Sequence, residues 1–471
     1  MGAVGIGRER MGVITRAIDY STLETMLVRA DGAIEATTLP TQAKMMFPGP
    51  STRRHLIAQL SEDVVIAGRR IPAETVVAYD TASSIPADRR LSVVYTPGED
   101  EFLQSGLSGG IAGSANSVWM VVDRHGTKQV LEARFRNNRW RVNRQQSEAP
   151  GVSVTFASAN ASTEHLVIQR GGFLHPTRLD LVRRNASSEP LFAEAPAFDA
   201  NAFTVELRTT SSADGTQIDY YLLRPKAPAT PGATPTLMTG YGAFGVSFSP
   251  GYLDGWVGGR SLALWLERGG ALAIPLIRGG GERGSAWHHA AMRERRQVSY
   301  DDFAAVAEAL IAEGFTTREH LGVFGMSNGG LLAAVMGTQR PDLFGAVVSD
   351  VPLADMLRFP AMGMGAAWTN EYGDPSDAAM AEVLRRYSPY HNVTAGRDYP
   401  AFLITVATTD NRVGPGHARK LAARLIEAGA RVYYFEDQEG GHGVSDPLSN
   451  PELMADRMTF LINTLMAPSA H

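Results

Sequence analysis

One short segment constrains the fold of this chain more than any other: residues 321–332, which read LGVFGMSNGGLL. An apolar, strand-like run enters the segment Gly325-Met326-Ser327-Asn328-Gly329, and a helix-like run leaves it. This is the G-x-S-x-G pattern of a nucleophile elbow, in which a serine stands on a sharp strand-to-helix turn. Glycines two residues before and after the serine let neighbouring segments approach the turn closely. The segment therefore predicts a serine nucleophile on a sheet that helices cover.

The length and composition set the number of domains and exclude several kinds of site. A chain of 471 residues is too long for one ordinary domain, so we expect two. Hydrophobic residues make up 44% and charged residues 20%, as in globular proteins. The sequence contains no cysteine, which excludes disulfides, thiolate metal sites and a cysteine nucleophile.

Charge and hydropathy indicate where the protein acts and what it does not bind. The net charge of −5 provides no basic surface for nucleic acid. Residues 1–20 carry charges throughout and lack the apolar core of a signal peptide. No apolar run reaches the length that spans a membrane. We therefore expect a cytoplasmic location, without nucleic-acid or membrane partners.

The first 200 residues have the pattern of an all-β domain. Short strand-like runs recur at intervals of roughly 8–12 residues, and no long helical period interrupts them. Asp31-Gly32, His125-Gly126 and Gly171-Gly172 stand where hairpin turns are expected. A propeller blade takes about 40–50 residues, so residues 1–200 are predicted to form about four blades. The predicted strands are Met26–Arg29, Asp63–Ala67, Thr75–Tyr79, Leu91–Tyr95, Ser117–Val122, Gln129–Ala133, Val152–Phe156 and His165–Gln169.

Residues 201–471 alternate between apolar strands and amphipathic helices. This alternation indicates a parallel sheet with helices on both faces. Because the sheet carries an elbow, we predict the α/β class and an α/β-hydrolase fold. A hairpin, Phe203–Arg208 with Tyr220–Arg224, precedes it. The predicted strands are Thr236–Thr239, Ala271–Ile277, Leu321–Phe324, Ala346–Ser349, Phe402–Ala407 and Arg431–Phe435, and the predicted helices besides the elbow helix are Asp302–Glu313, His417–Ala428 and Leu453–Leu465.

The order of polar residues after these strands predicts the partners of the nucleophile. In this fold the serine is followed by an acid and then by a histidine, each on a loop after a strand. Asp410 follows the strand Phe402–Ala407, and His442 lies between glycines after the strand Arg431–Phe435. We predict a Ser327–Asp410–His442 triad, in which His442 acts as the base. Asp437 is the competing acid because it lies nearer to the histidine in sequence.

A tetrahedral intermediate also requires hydrogen-bond donors for its oxyanion. The backbone N–H of Asn328 is the first predicted donor because it follows the nucleophile. Tyr241, in the loop Gly240–Gly245 after a predicted strand, is the second, and the alternative is an aromatic packed on the sheet edge. A second G-x-S-x-G match surrounds Ser108, but no strand precedes it and no helix follows, so we interpret it as a loop.

Three other patterns are interpreted as structural. The fingerprint-like Gly279-x-Gly281-x-x-Gly284 does not open a helix directly and lacks the acid expected after a second strand, so nucleotide binding is rejected. His288-His289 lacks the spacing and the third ligand of a metal site. The run Arg293–Arg296 is interpreted as solvated charge. No cofactor and no metal are predicted.

Six segments in order resemble the prolyl oligopeptidase family of serine peptidases. They are GYGAFG (Gly240–Gly245), IRGGGERGSAWH (Ile277–His288), GMSNGGLL (Gly325–Leu332), AAWTNEYGDP (Ala366–Pro375), TTDNRV (Thr408–Val413) and GGHG (Gly440–Gly443). The stretch VIQRGGFLHPTRLDLV (Val167–Val182) also resembles that family's last propeller blade. The resemblance implies an α/β-hydrolase domain capped by a β-propeller that filters substrates by size.

The resemblance also assigns substrate-binding roles. Tyr241 matches an oxyanion donor, and Arg412 matches an arginine that binds a substrate carbonyl; its alternative is a surface ion pair. Trp368 matches a tryptophan that stacks on the substrate proline, with a core aromatic as the alternative. An indole face suits a flat, apolar ring that has no N–H. Phe244, Tyr372 and Val413 match further walls of that pocket.

These assignments predict an oligopeptidase that cleaves short peptides after proline. Relatives that cleave after Lys or Arg have acidic residues near the pocket, and Glu371 keeps that alternative open. An esterase on the same triad is a further alternative. Family members usually have about seven blades, within the range of propellers. The shorter β domain here predicts either an open, shortened propeller or a truncated chain, and we favour truncation. A catalytically weak interaction fragment is therefore the third alternative. The resemblance favours a monomer.

Overall fold

The computed structural model describes residues 12–17, 23–41, 43–44, 51–82, 84–104, 109–124, 126–148, 151–183, 188–227, 233–252, 261–443 and 450–466. The chain divides into two compact units. The first comprises Met1–Ala195, Ser249–Tyr252 and Gly281–Ala286, and the second comprises Pro196–Phe248, Leu253–Gly280 and Trp287–His471. None of the helices within the described ranges has the length and apolarity that crossing a bilayer requires.

The first unit consists of small antiparallel sheets. Their orders are β1-β2-β3, β4-β5-β8-β9, β6-β7, β10-β12-β13-β14 with β11 beside β12, and β15-β16-β17-β18. Each of the eight strands predicted in this half coincides with or overlaps an observed strand. The strands are β1 (Gly12–Ala17), β2 (Leu23–Val28), β3 (Ile34–Ala36), β4 (Ala43–Lys44), β5 (His55–Leu60), β6 (Val64–Ile66), β7 (Arg69–Ile71), β8 (Val76–Asp80), β9 (Leu91–Tyr95), β10 (Phe102–Leu103), β11 (Ile111–Gly113), β12 (Ser117–Arg124), β13 (Thr127–Arg136), β14 (Arg139–Ser147), β15 (Val152–Ala159), β16 (Leu166–Gly172), β17 (His175–Val182) and β18 (Glu189–Ala193).

The four larger sheets stack face to face, as propeller blades do. Strand β5 is buried at every position because both of its faces are covered. Leu56 shares a core with Leu27 of the preceding sheet, whereas the next residue, Ile57, shares a core with Met120 of the following sheet. Successive side chains of a strand point to opposite faces. A central strand between two blades is therefore apolar throughout, and it lacks the alternation that marks a half-exposed strand.

One predicted turn in this unit is wrong. Gly171 and Gly172 do not form a hairpin turn but end strand β16, where the register with β17 shifts. A Cβ atom on Gly172 would lie 2.4 Å from the carbonyl oxygen of Gly151 on the neighbouring segment. The glycine is needed for close approach of the backbone, and the turn itself lies at residues 173–174.

The second unit is an α/β-hydrolase domain around one eight-stranded sheet of order β19-β20-β22-β21-β23-β24-β25-β26. The hairpin β19-β20 is antiparallel, and the strands from β22 to β26 pair in parallel, as predicted for the strand–helix alternation. The strands are β19 (Phe203–Ser211), β20 (Gln217–Pro225), β21 (Thr236–Thr239), β22 (Ala271–Pro275), β23 (Leu321–Met326), β24 (Ala346–Asp350), β25 (Ala401–Ala407) and β26 (Val432–Asp437). The helices are α1 (Ser261–Glu267), α2 (Gly284–His289), α3 (Gln297–Ala312), α4 (Asn328–Gln339), α5 (Thr369–Tyr372), α6 (Ala378–Tyr387), α7 (Pro389–Asn392), α8 (Gly416–Glu427) and α9 (Pro451–Leu465).

A buried histidine in the second unit joins the loop after β24 to helix α8. His417, in the first turn of α8, is fully buried, and its Nδ1 accepts hydrogen bonds from the backbone N–H groups of Ala354 (3.2 Å) and Asp355 (3.1 Å). Burial lowers the pKa of His417 to about 4; Lys420 lowers it further, while Asp355 and Asp410 oppose the shift. The neutral ring thus ties the loop after β24 to the start of α8.

This histidine should make the second unit sensitive to acid. The folded-state pKa lies below the ordinary 6.5, so the stabilisation is complete above pH 6.5 and is lost as pH falls towards about 4. Each pH unit in that window removes up to about 1.4 kcal/mol. We expect His417→Asn, whose Oδ1 can replace Nδ1 as acceptor, to reduce the change in thermal midpoint between about pH 7 and pH 4.5. His165→Asn, at an exposed position, is the control. Equal pH dependence in both variants would contradict this account.

Candidate active site

The elbow at Ser327 joins β23 to α4 and is strained. Ser327 has φ +61° and ψ −119°, a backbone conformation that L-residues rarely adopt. A Cβ atom on Gly325 would lie 2.0 Å from the carbonyl oxygen of Gly329, and one on Gly329 would lie 2.8 Å from that of Gly240. Both glycines of the motif are therefore needed for the close approaches at this turn. Such strain persists only where the surroundings determine the conformation, and it is common at catalytic residues.

Asp410 and His442 lie in contact on loops that follow β25 and β26. Asp410 is 3% exposed, and its Oδ2 lies 2.8 Å from Nδ1 of His442. Its Oδ1 accepts hydrogen bonds from the backbone N–H groups of Arg412 and Val413, each at 2.9 Å. The competing Asp437 instead accepts from the backbone N–H groups of Glu439 and Gly440. The histidine is thus bonded to Asp410 through Nδ1, and its Nε2 makes no hydrogen bond to the residues that the structure describes.

The serine lies at the same edge of the sheet, because the carboxyl ends of parallel strands face one way. Ser327 is 7% exposed. Within the described residues its hydroxyl makes no hydrogen bond, and none joins it to His442. Catalytic hydrogen bonds of unliganded enzymes often tighten only when substrate binds. The site therefore contains an oriented imidazole and a strained serine that are not hydrogen-bonded to each other in this structure.

The two predicted oxyanion donors belong to residues that are bonded to each other. The backbone N–H of Asn328 is the first of α4 and has no acceptor within the helix. The side-chain Nδ2 of Asn328 donates to the carbonyl oxygen of Tyr241 at 2.5 Å. Tyr241 lies in the loop after β21 and is buried. The elbow and the Tyr241 loop are thus linked through one buried amide.

The predicted substrate-binding residues differ in exposure. Arg412 is exposed, and its guanidinium has no ion-pair partner among the described residues. Trp368 and Val413 are buried, at 6% and 1% exposure, and form part of the core of the domain. The Phe244 ring is partly buried and meets Tyr372 edge-on at 5.7 Å. Tyr372 is fully buried.

The loop that carries Arg412 is joined to the segment before Trp368. The backbone N–H of Met364 donates to the carbonyl oxygen of Arg412 at 2.9 Å. Gly363, with φ +56°, permits this approach, because a Cβ there would lie 2.4 Å from the same oxygen. The arginine loop and the tryptophan segment therefore hold a defined relative position.

Glu371 is not available as an acidic subsite. It is 4% exposed and accepts hydrogen bonds from the Phe244 backbone N–H (3.0 Å) and from Arg296 Nη1 (3.3 Å). Its Oε2 lies 2.7 Å from His288 Nε2. Burial raises the pKa of Glu371, but the His288 hydrogen bond and the charges of His288 and Arg296 outweigh burial and leave the pKa below its ordinary value. This carboxylate is an internal partner of the site walls.

The interpretation of Arg293–Arg296 as solvated charge is wrong for its last residue. Arg296 is fully buried, whereas the three residues before it are exposed. Its Nη2 donates to Asn328 Oδ1 at 3.1 Å. The sequence did contain a signal for this burial. With the helical spacing of α3 continued towards the N-terminus, position 296 falls on the same face as the buried Tyr300, Phe303 and Ala307. The helix was predicted to begin only at Asp302, so position 296 was not recognised as part of its buried face.

Comparison with known proteins adds three findings. Residues 258–467 match the model of the prolyl oligopeptidase family. The uncharacterized peptidase y4nA of Sinorhizobium fredii is 36% identical over 417 residues, 86% of this chain and 56% of that protein. A prolyl endopeptidase of Elizabethkingia miricola is 37% identical over 229 residues, 48% of this chain and 32% of that protein.

The fold has a close match among solved structures. The structure of a post-proline cleaving enzyme from Rickettsia typhi matches with a TM-score of 0.89 at 27% identity, over 97% of this chain and 65% of that one. The chain therefore spans less than two thirds of the length of these relatives.

Proposed function

Because the chain belongs to the prolyl oligopeptidase family of serine peptidases, we propose that it hydrolyses short peptides on the carboxyl side of proline. The observation that carries this proposal is the bond between Asp410 and His442 at the sheet edge that also bears the strained Ser327. The solved Rickettsia typhi relative is described as cleaving after proline, which supports the same specificity here.

The chemistry follows from the roles of these groups. Asp410 holds the proton of His442 on Nδ1, so Nε2 is the base that removes the proton of Ser327 as its Oγ attacks the scissile carbonyl. The backbone N–H of Asn328 and the hydroxyl of Tyr241 stabilise the oxyanion. His442 then donates the proton to the leaving amine. A water molecule hydrolyses the resulting ester by the same steps.

Proline preference is supported by the chemistry of the surrounding residues. Phe244, which is partly buried, and Trp368, at 6% exposure, supply apolar surface, while Val413 and Tyr372 are buried in the core against which Phe244 packs. Proline is flat and apolar, and it stacks well on an aromatic face. The exposed guanidinium of Arg412 donates to a substrate carbonyl. The alternative preference for Lys or Arg is weakened because Glu371 already neutralises Arg296.

Three substrates separate this proposal from its alternatives: a fluorogenic Gly-Pro amide, an Arg amide and a nitrophenyl ester. We expect the highest kcat/KM among the amides for the Gly-Pro substrate. Strong ester turnover with no cleavage of the Gly-Pro amide would favour the esterase, and preference for the Arg amide would favour the basic specificity. Folded protein that fails to react with a fluorophosphonate would favour the catalytically weak fragment. A thermal melt shows that the sample is folded.

The cytoplasmic location and the monomeric state are part of the same proposal. Both come from the sequence pattern and the family resemblance. Gel filtration of the same sample at several concentrations tests the monomer, and elution as a stable dimer would contradict it.

A further inference from the structure

A buried guanidinium lies beneath the proposed oxyanion hole. Arg296 is fully buried, with its guanidinium 5.4 Å from the ring centroid of Tyr372 and 5.6 Å from that of Tyr300. Its Nη1 donates to Glu371 and its Nη2 to Asn328. An arginine in a protein keeps its charge. The fold therefore maintains a permanent buried cation at this position.

Stability by itself is a weak explanation for this cation. Burying a guanidinium and a carboxylate removes both from water, and apolar residues of similar volume are often equally stabilising. The Nε atom of Arg296 also finds no hydrogen-bond partner among the residues that the structure describes, which adds to the cost of burial. A buried polar group that is expensive to keep is better explained by the geometry that it imposes on its neighbours.

The neighbour whose geometry Arg296 sets is Asn328. The Oδ1 atom of Asn328 accepts from Arg296 and from the Tyr372 hydroxyl at 2.7 Å, and both partners are donors there. Rotating the amide by half a turn would place its NH₂ group against the guanidinium of Arg296, which can only donate, and its oxygen against the carbonyl oxygen of Tyr241, which can only accept. The amide is therefore locked with Nδ2 directed at the carbonyl oxygen of Tyr241. One cation thus fixes the orientation that links the two proposed oxyanion donors.

The same cation also touches the wall of the pocket. Glu371 accepts from Arg296 and from the backbone N–H of Phe244, a residue with φ +57°. A positive φ in a non-glycine residue is strained and requires support from its surroundings. The hydrogen bond to Glu371 supplies part of that support. Arg296 therefore contacts the partners of both the oxyanion donors and the pocket wall, but it is fully buried and does not contact substrate itself.

We propose that Arg296 is a positioning residue, which acts through Asn328 to align the backbone N–H of residue 328 and Tyr241 on the oxyanion. This inference rests on the proposed peptidase function. It assigns to Arg296 an effect on the transition state, where negative charge develops, and little effect on the binding of the uncharged ground state.

Arg296→Met tests the proposal, with Arg295→Met at the adjacent exposed position as the matched control. We expect Arg296→Met to lower kcat for the Gly-Pro amide by about 10- to 100-fold, below the loss from deleting a whole oxyanion donor. KM should change by less than about threefold. A peptide aldehyde, whose adduct with Ser327 carries the oxyanion, should lose affinity by the same factor as kcat. Arg295→Met should behave as the wild type.

The readouts distinguish positioning from folding. Rates are divided by the concentration of sites that a fluorophosphonate titrates, so unfolded protein does not count. A merely structural role predicts a lower thermal midpoint with unchanged kcat per titrated site and unchanged aldehyde affinity, and that result would overturn the proposal. If Arg296→Met does not fold, Tyr372→Phe removes only the hydroxyl that shares Asn328 Oδ1. A parallel loss of about 3- to 10-fold in kcat and aldehyde affinity then supports the proposal, and no change overturns it.

The wild type separates this inference from the function on which it rests. A wild type that neither titrates nor cleaves any of the three substrates overturns the peptidase proposal and this inference together. An active wild type with a fully active Arg296→Met variant overturns this inference alone.

Discussion

Asp410→Asn is expected to lower kcat for the Gly-Pro amide by about 10⁴-fold while leaving the protein folded. The reason lies in how the two carboxylate oxygens are used. Oδ1 accepts from two backbone N–H groups, so an asparagine must place its carbonyl oxygen there. Its NH₂ group then faces Nδ1 of His442, where Oδ2 now lies. The ring must accept at Nδ1 and carry its proton on Nε2, which is the wrong tautomer for a base.

The matched control for this substitution is Asp437→Asn. Asp437 accepts from two backbone N–H groups in the loop that leads to His442 and is not bonded to the histidine. An asparagine can keep those two bonds through its carbonyl oxygen and loses only the bond that Oδ2 accepts from Asn450 Nδ2 (3.1 Å). We therefore expect kcat within about tenfold of the wild type. Rates at saturating substrate, together with thermal midpoints, make the comparison. Greater loss in Asp437→Asn than in Asp410→Asn would transfer the role of the acid to Asp437.

Ser327→Ala is expected to lower kcat by about 10⁶-fold and to abolish fluorophosphonate labelling. No other group can form the covalent intermediate, and the remaining rate comes from the oxyanion donors and substrate binding. The fold should persist, because φ +61° at this position strains alanine no more than serine. A thermal midpoint close to that of the wild type checks this point. The measurement is labelling on a denaturing gel beside turnover of the Gly-Pro amide.

Ser108→Ala is the control for this second prediction, because Ser108 occupies the other G-x-S-x-G match. Residues 106–108 of that match lie outside the residues that the structure describes, so its interpretation as a loop stays a prediction. We expect Ser108→Ala to label and to turn over as the wild type does. Labelling that survives in Ser327→Ala and disappears in Ser108→Ala would show that the wrong serine had been assigned.

The bounds of strands and helices in the hydrolase domain could be predicted closely where the local sequence marked both ends of the element. The strand at Thr236–Thr239 has the predicted bounds, because a run of apolar and β-branched residues lies between a proline and a glycine. Helix α3 begins at Gln297, five residues before its predicted start, since its first turn is polar and masks the period. Helix α6 was missed, although Asp377 caps it by accepting from the N–H groups of residues 379 and 380. An N-cap is a weak signal inside a loop-like composition.

The β half was predicted less completely, for a different reason. Strand β14 contains six arginine, asparagine and glutamine residues and only two apolar ones, Trp140 and Val142, so its apolar alternation ends at the midpoint of the strand. Strand β5 is apolar on both faces because sheets cover it on both sides. Each departs from the half-exposed pattern by which strands are recognised. Sheet stacking, which decides the burial of each face, is a property of the folded unit.

The sequence by itself determined the fold class, the elbow serine and the order of acid and histidine, because these depend on short spacings and on the alternation of strands and helices. Only the tertiary structure decided that Asp410 rather than Asp437 bonds His442, that Glu371 is an internal partner, and that Arg296 is buried against Asn328. Glu371 and Arg296 are 75 residues apart, and each alone has the character of a surface charge. A buried pair of charges is stable only when both partners are brought together, and that meeting has no local signature in the chain.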